Sequence, residues 1–154
     1  CLPSLKNFNV RRYLCLTILP KELKTFKPLT TFNISGCSSL TLLLNRLCYF
    51  TSLTSFYLWN YSSLKLLPIE LCSLTSLIAF DISRCLSLTS LLNELSNLTP
   101  LIIFNMSNFS SFTSLPNRLG NLTTLTSFNI SRCLSLTSLL NKLSNLRSLI
   151  VLYM

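Results

Sequence analysis

The chain repeats itself every 24 residues, and that period limits what it can fold into more than any other feature. Units begin at Leu5, Leu29, Leu53, Leu77, Leu101 and Leu125 without an insertion, and a further unit opens at Leu149. The segments LTTFNISGCSSLTLLLNRLCYFTS, LIAFDISRCLSLTSLLNELSNLTP and LTSFNISRCLSLTSLLNKLSNLRS align letter by letter. With the opening Leu as position 0, apolar residues recur at positions 0, 3, 5, 11, 14, 18 and 21. In the fourth unit these are Leu77, Phe80, Ile82, Leu88, Leu91, Leu95 and Leu98. A short fixed period of this kind signals stacked repeats. Position 8 alternates between Cys37, Cys85 and Cys133 in one set of units and Tyr61 and Phe109 in the other. Units four and six share SRCLSLTSLLN, which points to duplication of a 48-residue pair.

The spacing also sets the shape of a unit. Positions 3 to 5 alternate in and out as a short strand does, and Phe, Ile and Leu suit a pleated surface. Positions 14, 18 and 21 have the spacing of one helical face, with room for about one or two turns, so a short helix or 3₁₀ segment is predicted. One unit buries too little to offset the ordering of its own backbone, and stability is therefore shared along the stack. Strands about 4.8 Å apart, set opposite bulkier helical segments, bend the stack with the strands inside. The expected fold is an α/β solenoid occupying residues 1–154 as one array. It is a curved horseshoe with a parallel sheet on the concave face and short helical or 3₁₀ segments on the convex face. The sequence starts near position 20 of one unit and stops at position 5 of another, with no polar cap at either end. The expectation is a piece of a longer array.

Composition excludes several classes. Hydrophobic residues make up 49% of the chain, yet they fall in short runs such as Leu101 to Phe104. A spanning helix needs about 18 in succession, so no membrane segment is expected. The opening CLPSLKNFNVRRY lacks the pattern of a secretory signal. The net charge is +9, and six of the 13 basic residues lie within the first 27 positions. That asymmetry suits an acidic partner or a solvated basic end.

The unit LxxLxLxxCxxLxxLPxxLxxLxx resembles the leucine-rich repeats of plant nucleotide-binding disease-resistance proteins, particularly the TIR-bearing class. The residues that carry the resemblance are Phe32-Asn33-Ile34-Ser35-Gly36-Cys37-Ser38-Ser39-Leu40, then Leu67-Pro68 and Leu115-Pro116, with Leu71 and Leu119 following. The resemblance covers essentially the whole chain and implies an intracellular, cytoplasmic protein. It departs where the Pro kept at 20, 68 and 116 becomes Leu44, Leu92 and Leu140. Nothing within the chain resembles a phosphate-binding loop or a TIR domain. In that family position 8 holds a small polar residue bonded to the turn backbone, which implies a ladder of buried thiols at Cys37, Cys85 and Cys133. A zinc site fails there, because units two steps apart are about 10 Å apart while Zn–S bonds are about 2.3 Å. Cys48 and Cys72 share position 19 of adjacent units, near enough for a disulfide. The odd count of seven cysteines and the intracellular resemblance favour free thiols.

Catalysis has little to stand on. There is no histidine, and Glu22, Glu70, Asp81 and Glu94 sit singly. No enzyme, cofactor or metal site is expected. The concave positions 1, 2, 4, 6 and 7 supply roughly 30 side chains, enough for an interface of about 20–30 residues a side. Most are Ser, Thr or Asn. Tyr57 and Trp59, at positions 4 and 6, are either hot spots or rings packed against neighbouring units. Arg84 and Arg132 at position 7, with Lys6, Arg11 and Arg12, form a basic rim. Asp81 is the lone acid of the face, and Asn105 and Asn129 occupy its column. Ile102, Ile103, Ile150 and Val151 form an apolar patch. The sequons at Asn33, Asn60, Asn97, Asn105, Asn108, Asn121 and Asn129 follow from the repeat itself, and unmodified asparagines are expected.

The functional expectation is a protein-recognition module, the ligand-sensing region of an intracellular immune-receptor-like protein. Its partners would be a protein ligand on the concave face and flanking repeats or domains of the parent chain. A structural spacer without its own partner is the alternative. A binder of nucleic acid or another anionic surface is least favoured, because no aromatic stripe interleaves the basic residues.

Overall fold

The computed structural model describes residues 4–19, 23, 25–40, 44–137, 139 and 143–154. Pro20, Glu22 and Leu140 of the sequence pattern lie outside them. Seven three-residue strands form one parallel sheet in chain order. They are β1 (Asn7–Asn9), β2 (Thr31–Asn33), β3 (Ser55–Tyr57), β4 (Ala79–Asp81), β5 (Ile103–Asn105), β6 (Ser127–Asn129) and β7 (Val151–Tyr153). Register follows the repeat, with Phe8 opposite Phe32, Phe32 opposite Phe56, and so on to Phe128 opposite Leu152. The ladder runs past the strands into the following turn, where Gly36 N–H donates to the Trp59 carbonyl (2.9 Å) and Asn60 N–H to that of Ser83 (2.8 Å).

Opposite the sheet lie 3₁₀ segments at Leu44–Tyr49, Ile69–Ser73, Asn93–Asn97 and Leu119–Asn121. Ile69–Ser73 shows why they stay short. Pro68 precedes it in extended conformation, Leu71 N–H closes on the Pro68 carbonyl (3.1 Å), and Leu74 N–H on that of Leu71 (3.1 Å). The chain must then turn back to reach Leu77. Among the described residues no helix is long and apolar enough to cross a membrane.

Two side-chain columns tie unit to unit. Position 3 is a stack of phenylalanines: Phe32, Phe56, Phe80, Phe104 and Phe128 are fully buried, with successive ring centroids 5.4, 5.8, 5.6 and 5.4 Å apart. Those rings lie within 17° of parallel. Aromatic pairs in such geometry contribute about 0.5–1.5 kcal/mol each beyond the area they bury. Phe8, only half-buried at the edge, meets Phe32 tilted by 53°. Leu29, Leu53, Leu77, Leu101 and Leu125 form a second buried column.

Position 8 closes the gap between units through sulfur. The Cys37 thiol donates to the Val10 carbonyl (2.9 Å), Cys85 to that of Leu58 (3.1 Å) and Cys133 to that of Met106 (3.1 Å). Each bond reaches position 5 of the preceding unit, the ladder that the resemblance implies. In the intervening units buried Tyr61 and Phe109 fill the same place, and Phe109 meets Phe112 edge-on at 4.7 Å. Burial pushes the Cys85 thiol up to about 12 and the Tyr61 phenol up to about 12. Cys48 and Cys72 are free thiols, the first exposed and the second buried.

Candidate recognition face

The recognition face is built by one turn repeated at the end of each strand. Position 7 adopts a left-handed backbone in all six units: Arg12 (φ 58°), Gly36 (74°), Asn60 (57°), Arg84 (58°), Asn108 (63°) and Arg132 (59°). Gly and Asn tolerate this region readily, whereas Arg is uncommon in it. What holds the turn is the side chain at position 4. The Asn33 Oδ1 accepts from Ser35 N–H (3.1 Å), and the Asn105 Oδ1 from Ser107 N–H (3.1 Å). Asp81 and Asn129 accept from the backbone and the hydroxyl of Ser83 (2.8 and 2.6 Å) and Ser131 (3.0 and 2.8 Å). The other Asp81 oxygen receives Asn105 Nδ2 at 3.2 Å.

These bonds show how the face divides. Asp81, Asn105 and Asn129 all lie on it, half-buried, with their oxygens turned toward their own backbone. Arg84 and Arg132 project from the left-handed corners and are exposed. Unit three breaks the pattern. Tyr57 and Trp59 replace the acceptor and the serine, and the strand register is unchanged.

Trp59 is half-buried. The Arg12 guanidinium carbon sits 5.5 Å from its ring centroid, a cation–π contact across unit two. Gly36 makes that crossing: a Cβ placed there would lie 3.1 Å from Arg12 Cγ. Arg11, Arg12 and Trp59 line a recess of about 390 Å³. Between Arg11 and Trp59 in the position-6 column lies Ser35, wholly buried, whose hydroxyl has no hydrogen-bond partner among the described residues. No ion pair forms among the described residues, so both guanidinia remain available for an anion. At the other end of the strands Ile78, Ile102, Ile103, Ile150 and Val151 are exposed, while Lys6 is exposed beside β1.

The sequence brings out the two arginines and the rings separately, and the structure joins Arg11, Arg12 and Trp59. Gly36 and Ser35 escape sequence reasoning. The available signal is that Gly36, one of only two glycines, falls where other units carry Arg or Asn.

Comparison of the whole stack with solved structures settles its class. A leucine-rich-repeat protein of Leptospira interrogans matches over 99% of this chain with a TM-score of 0.80 at 19% identity. The fold is a leucine-rich-repeat solenoid. The leucine-rich-repeat domain of the type III effector XopL matches over 87% of the chain (TM-score 0.66, 18% identity). The plant peptide hormone receptor RGFR1, in complex with RGF2, matches over 98% (TM-score 0.62, 17% identity). The chain spans 43%, 54% and 33% of those three structures respectively. No protein-family model matches the sequence, and no curated protein matches it significantly. At these identities the solenoid likeness concerns the fold.

Proposed function

We propose that this solenoid recognises a protein ligand laid along its sheet face and anchored at unit three by Tyr57 and Trp59. One observation carries the reading. Units two, four, five and six use an Asn or Asp at position 4 to close the turn. Unit three closes the same turn with that position released to an aromatic ring. Tyr and Trp that the fold does not need, set on an accessible face, are the residue types that concentrate binding energy. RGFR1, of the same architecture, is itself seen in complex with RGF2, which supports a peptide or protein ligand.

The test is selection of a displayed peptide library on the purified solenoid, followed by affinity measurement on variants. Tyr57→Ala with Trp59→Ala is expected to weaken the selected peptides at least tenfold while the melting temperature holds. Glu94→Gln, on the 3₁₀ side, is expected to change nothing. Undiminished affinity in the double variant would refute the reading.

The finer reading is the ligand-sensing region of an intracellular immune-receptor-like protein. Its support is the resemblance of the repeat to plant TIR-type receptors, together with six free thiols among the described residues, which fit a reducing compartment. An upstream nucleotide-binding domain in the parent gene is expected, and a secretory signal there would overturn it.

A further inference from the structure

We propose that the sheet face reads a bipartite peptide: an acidic segment seated in the Arg11–Arg12–Trp59 recess and an aliphatic segment on Ile78, Ile102 and Ile103. The inference rests on the protein-recognition reading and names the ligand chemistry. At the acidic end, two guanidinia flank the recess with no carboxylate paired to either among the described residues. Guanidinium groups bind carboxylates through two parallel hydrogen bonds, and such charge-assisted bonds are roughly twice as strong as neutral ones. The net charge of +9 favours the approach of acidic chains.

Unit two, which lies between Arg12 and Trp59, is equally specific. Gly36 leaves the room through which Arg12 reaches Trp59. In the same unit the Ser35 hydroxyl is buried without a partner among the described residues, whereas the Ser83 and Ser131 hydroxyls of the same column each have one. A buried unsatisfied hydroxyl is costly.

At the other end, Ile78, Ile102 and Ile103 are exposed at positions 1 and 2 of units four and five. In units two, three and six these positions carry Thr30, Thr31, Thr54, Ser55, Thr126 and Ser127, and only the unit opening at Leu149 is again aliphatic there, with Ile150 and Val151. The two ends are set diagonally. The recess centres on unit two at the ends of the strands, and the isoleucines lie about two to three units on, at the strand starts. Steps of about 4.8 Å between strands and about 3.3 Å along them separate the ends by about 20 Å. An extended chain covers that distance in about six residues.

The probe is a synthetic peptide with two glutamates, a six-residue Ser/Gly spacer and Leu-Val-Leu. Trp59 is the only tryptophan in the chain, so its fluorescence reports the acidic end directly. Binding is expected to alter that emission, to be at least tenfold tighter than for the Gln-for-Glu peptide, and to weaken several-fold when the spacer is cut to two residues. Arg12→Gln is expected to erase the Glu-over-Gln preference, and Ile103→Ser to weaken the whole peptide while leaving the preference intact. Both positions are exposed, and an unchanged melting temperature will confirm folding.

Equal affinity for the Glu and Gln peptides overturns the inference. So does binding to neither, or stronger displacement of the probe by a single-stranded oligonucleotide. If the Gln peptide binds equally and Tyr57→Ala with Trp59→Ala abolishes both, the face still binds peptide and only the acidic assignment falls.

Discussion

Units four and six share nearly one sequence and one arrangement: Asp81 or Asn129 caps the turn, Arg84 or Arg132 takes the left-handed corner, and Cys85 or Cys133 bonds the unit behind. Unit three keeps the same strand and corner but places Tyr57, Trp59 and Tyr61 at positions 4, 6 and 8. The contrast separates two demands. Positions 3 and 5 hold apolar residues in all three units because the core has no alternative. Positions 4, 6 and 8 vary between units, and a unit whose position 4 is released from capping the turn is where a ligand-specific surface can arise.

The sharpest way to break this comparison is to attack what the units share. Phe80→Ala removes a ring with neighbours on both sides and is expected to cost about 3–5 kcal/mol in urea unfolding. Phe8→Ala, at the half-buried edge, is expected to cost less, and equal losses would mean that the stack does not act as a column. The next test attacks what differs. Asp81→Ala strands buried turn groups and is expected to cost about 1–3 kcal/mol, whereas Tyr57→Ala is expected to stay within about 0.5 kcal/mol. Comparable losses would mean that unit three depends on its rings for folding.

Gly36→Ala combines a left-handed backbone with a close Arg12 neighbour, and about 1–2 kcal/mol of destabilisation is expected from the backbone. A shift in Trp59 fluorescence is expected alongside. The smallest effect is in pH. The buried Cys85 thiol titrates at about 12 when folded, against 9.0 in the open chain. Its neutral form therefore favours folding, fully below pH 9 and progressively less toward pH 12. Tyr61 and Cys72 act in the same direction. Cys85→Ser is expected to flatten part of that alkaline decline in melting temperature. Alkylation followed by mass spectrometry is expected to label exposed Cys15 and Cys48 well before Cys85.

Much of the fold was legible because a strict period leaves few alternatives. Leucine spacing alone placed Phe32 beside Phe56 and limited the opposite side to single short turns, as Ile69–Ser73 and Asn93–Asn97 show. The outward setting of Tyr57 and Trp59 followed from strand alternation. The left-handed corner was harder to see. Asn60, Asn108 and Gly36 hint at it, but Arg12, Arg84 and Arg132 hide it, since nothing about arginine suggests that backbone. The duty of Asp81, Asn105 and Asn129 as turn caps looks in sequence like an available polar surface. The contact between Arg12 and Trp59 crosses unit two and depends on an absent side chain at Gly36, which no spacing rule records.

Each strand pairs only with those directly before and after it in the sequence. Among the described residues no strand pairs with a distant partner, so a proteolytic nick in an outer loop is expected to sever the covalent thread without unpicking a strand pairing. Two pieces produced in that way are expected to stay associated through the strand pairing and side-chain columns of the adjoining units, and mixing them after separation offers a direct route to rebuilding the array from its parts.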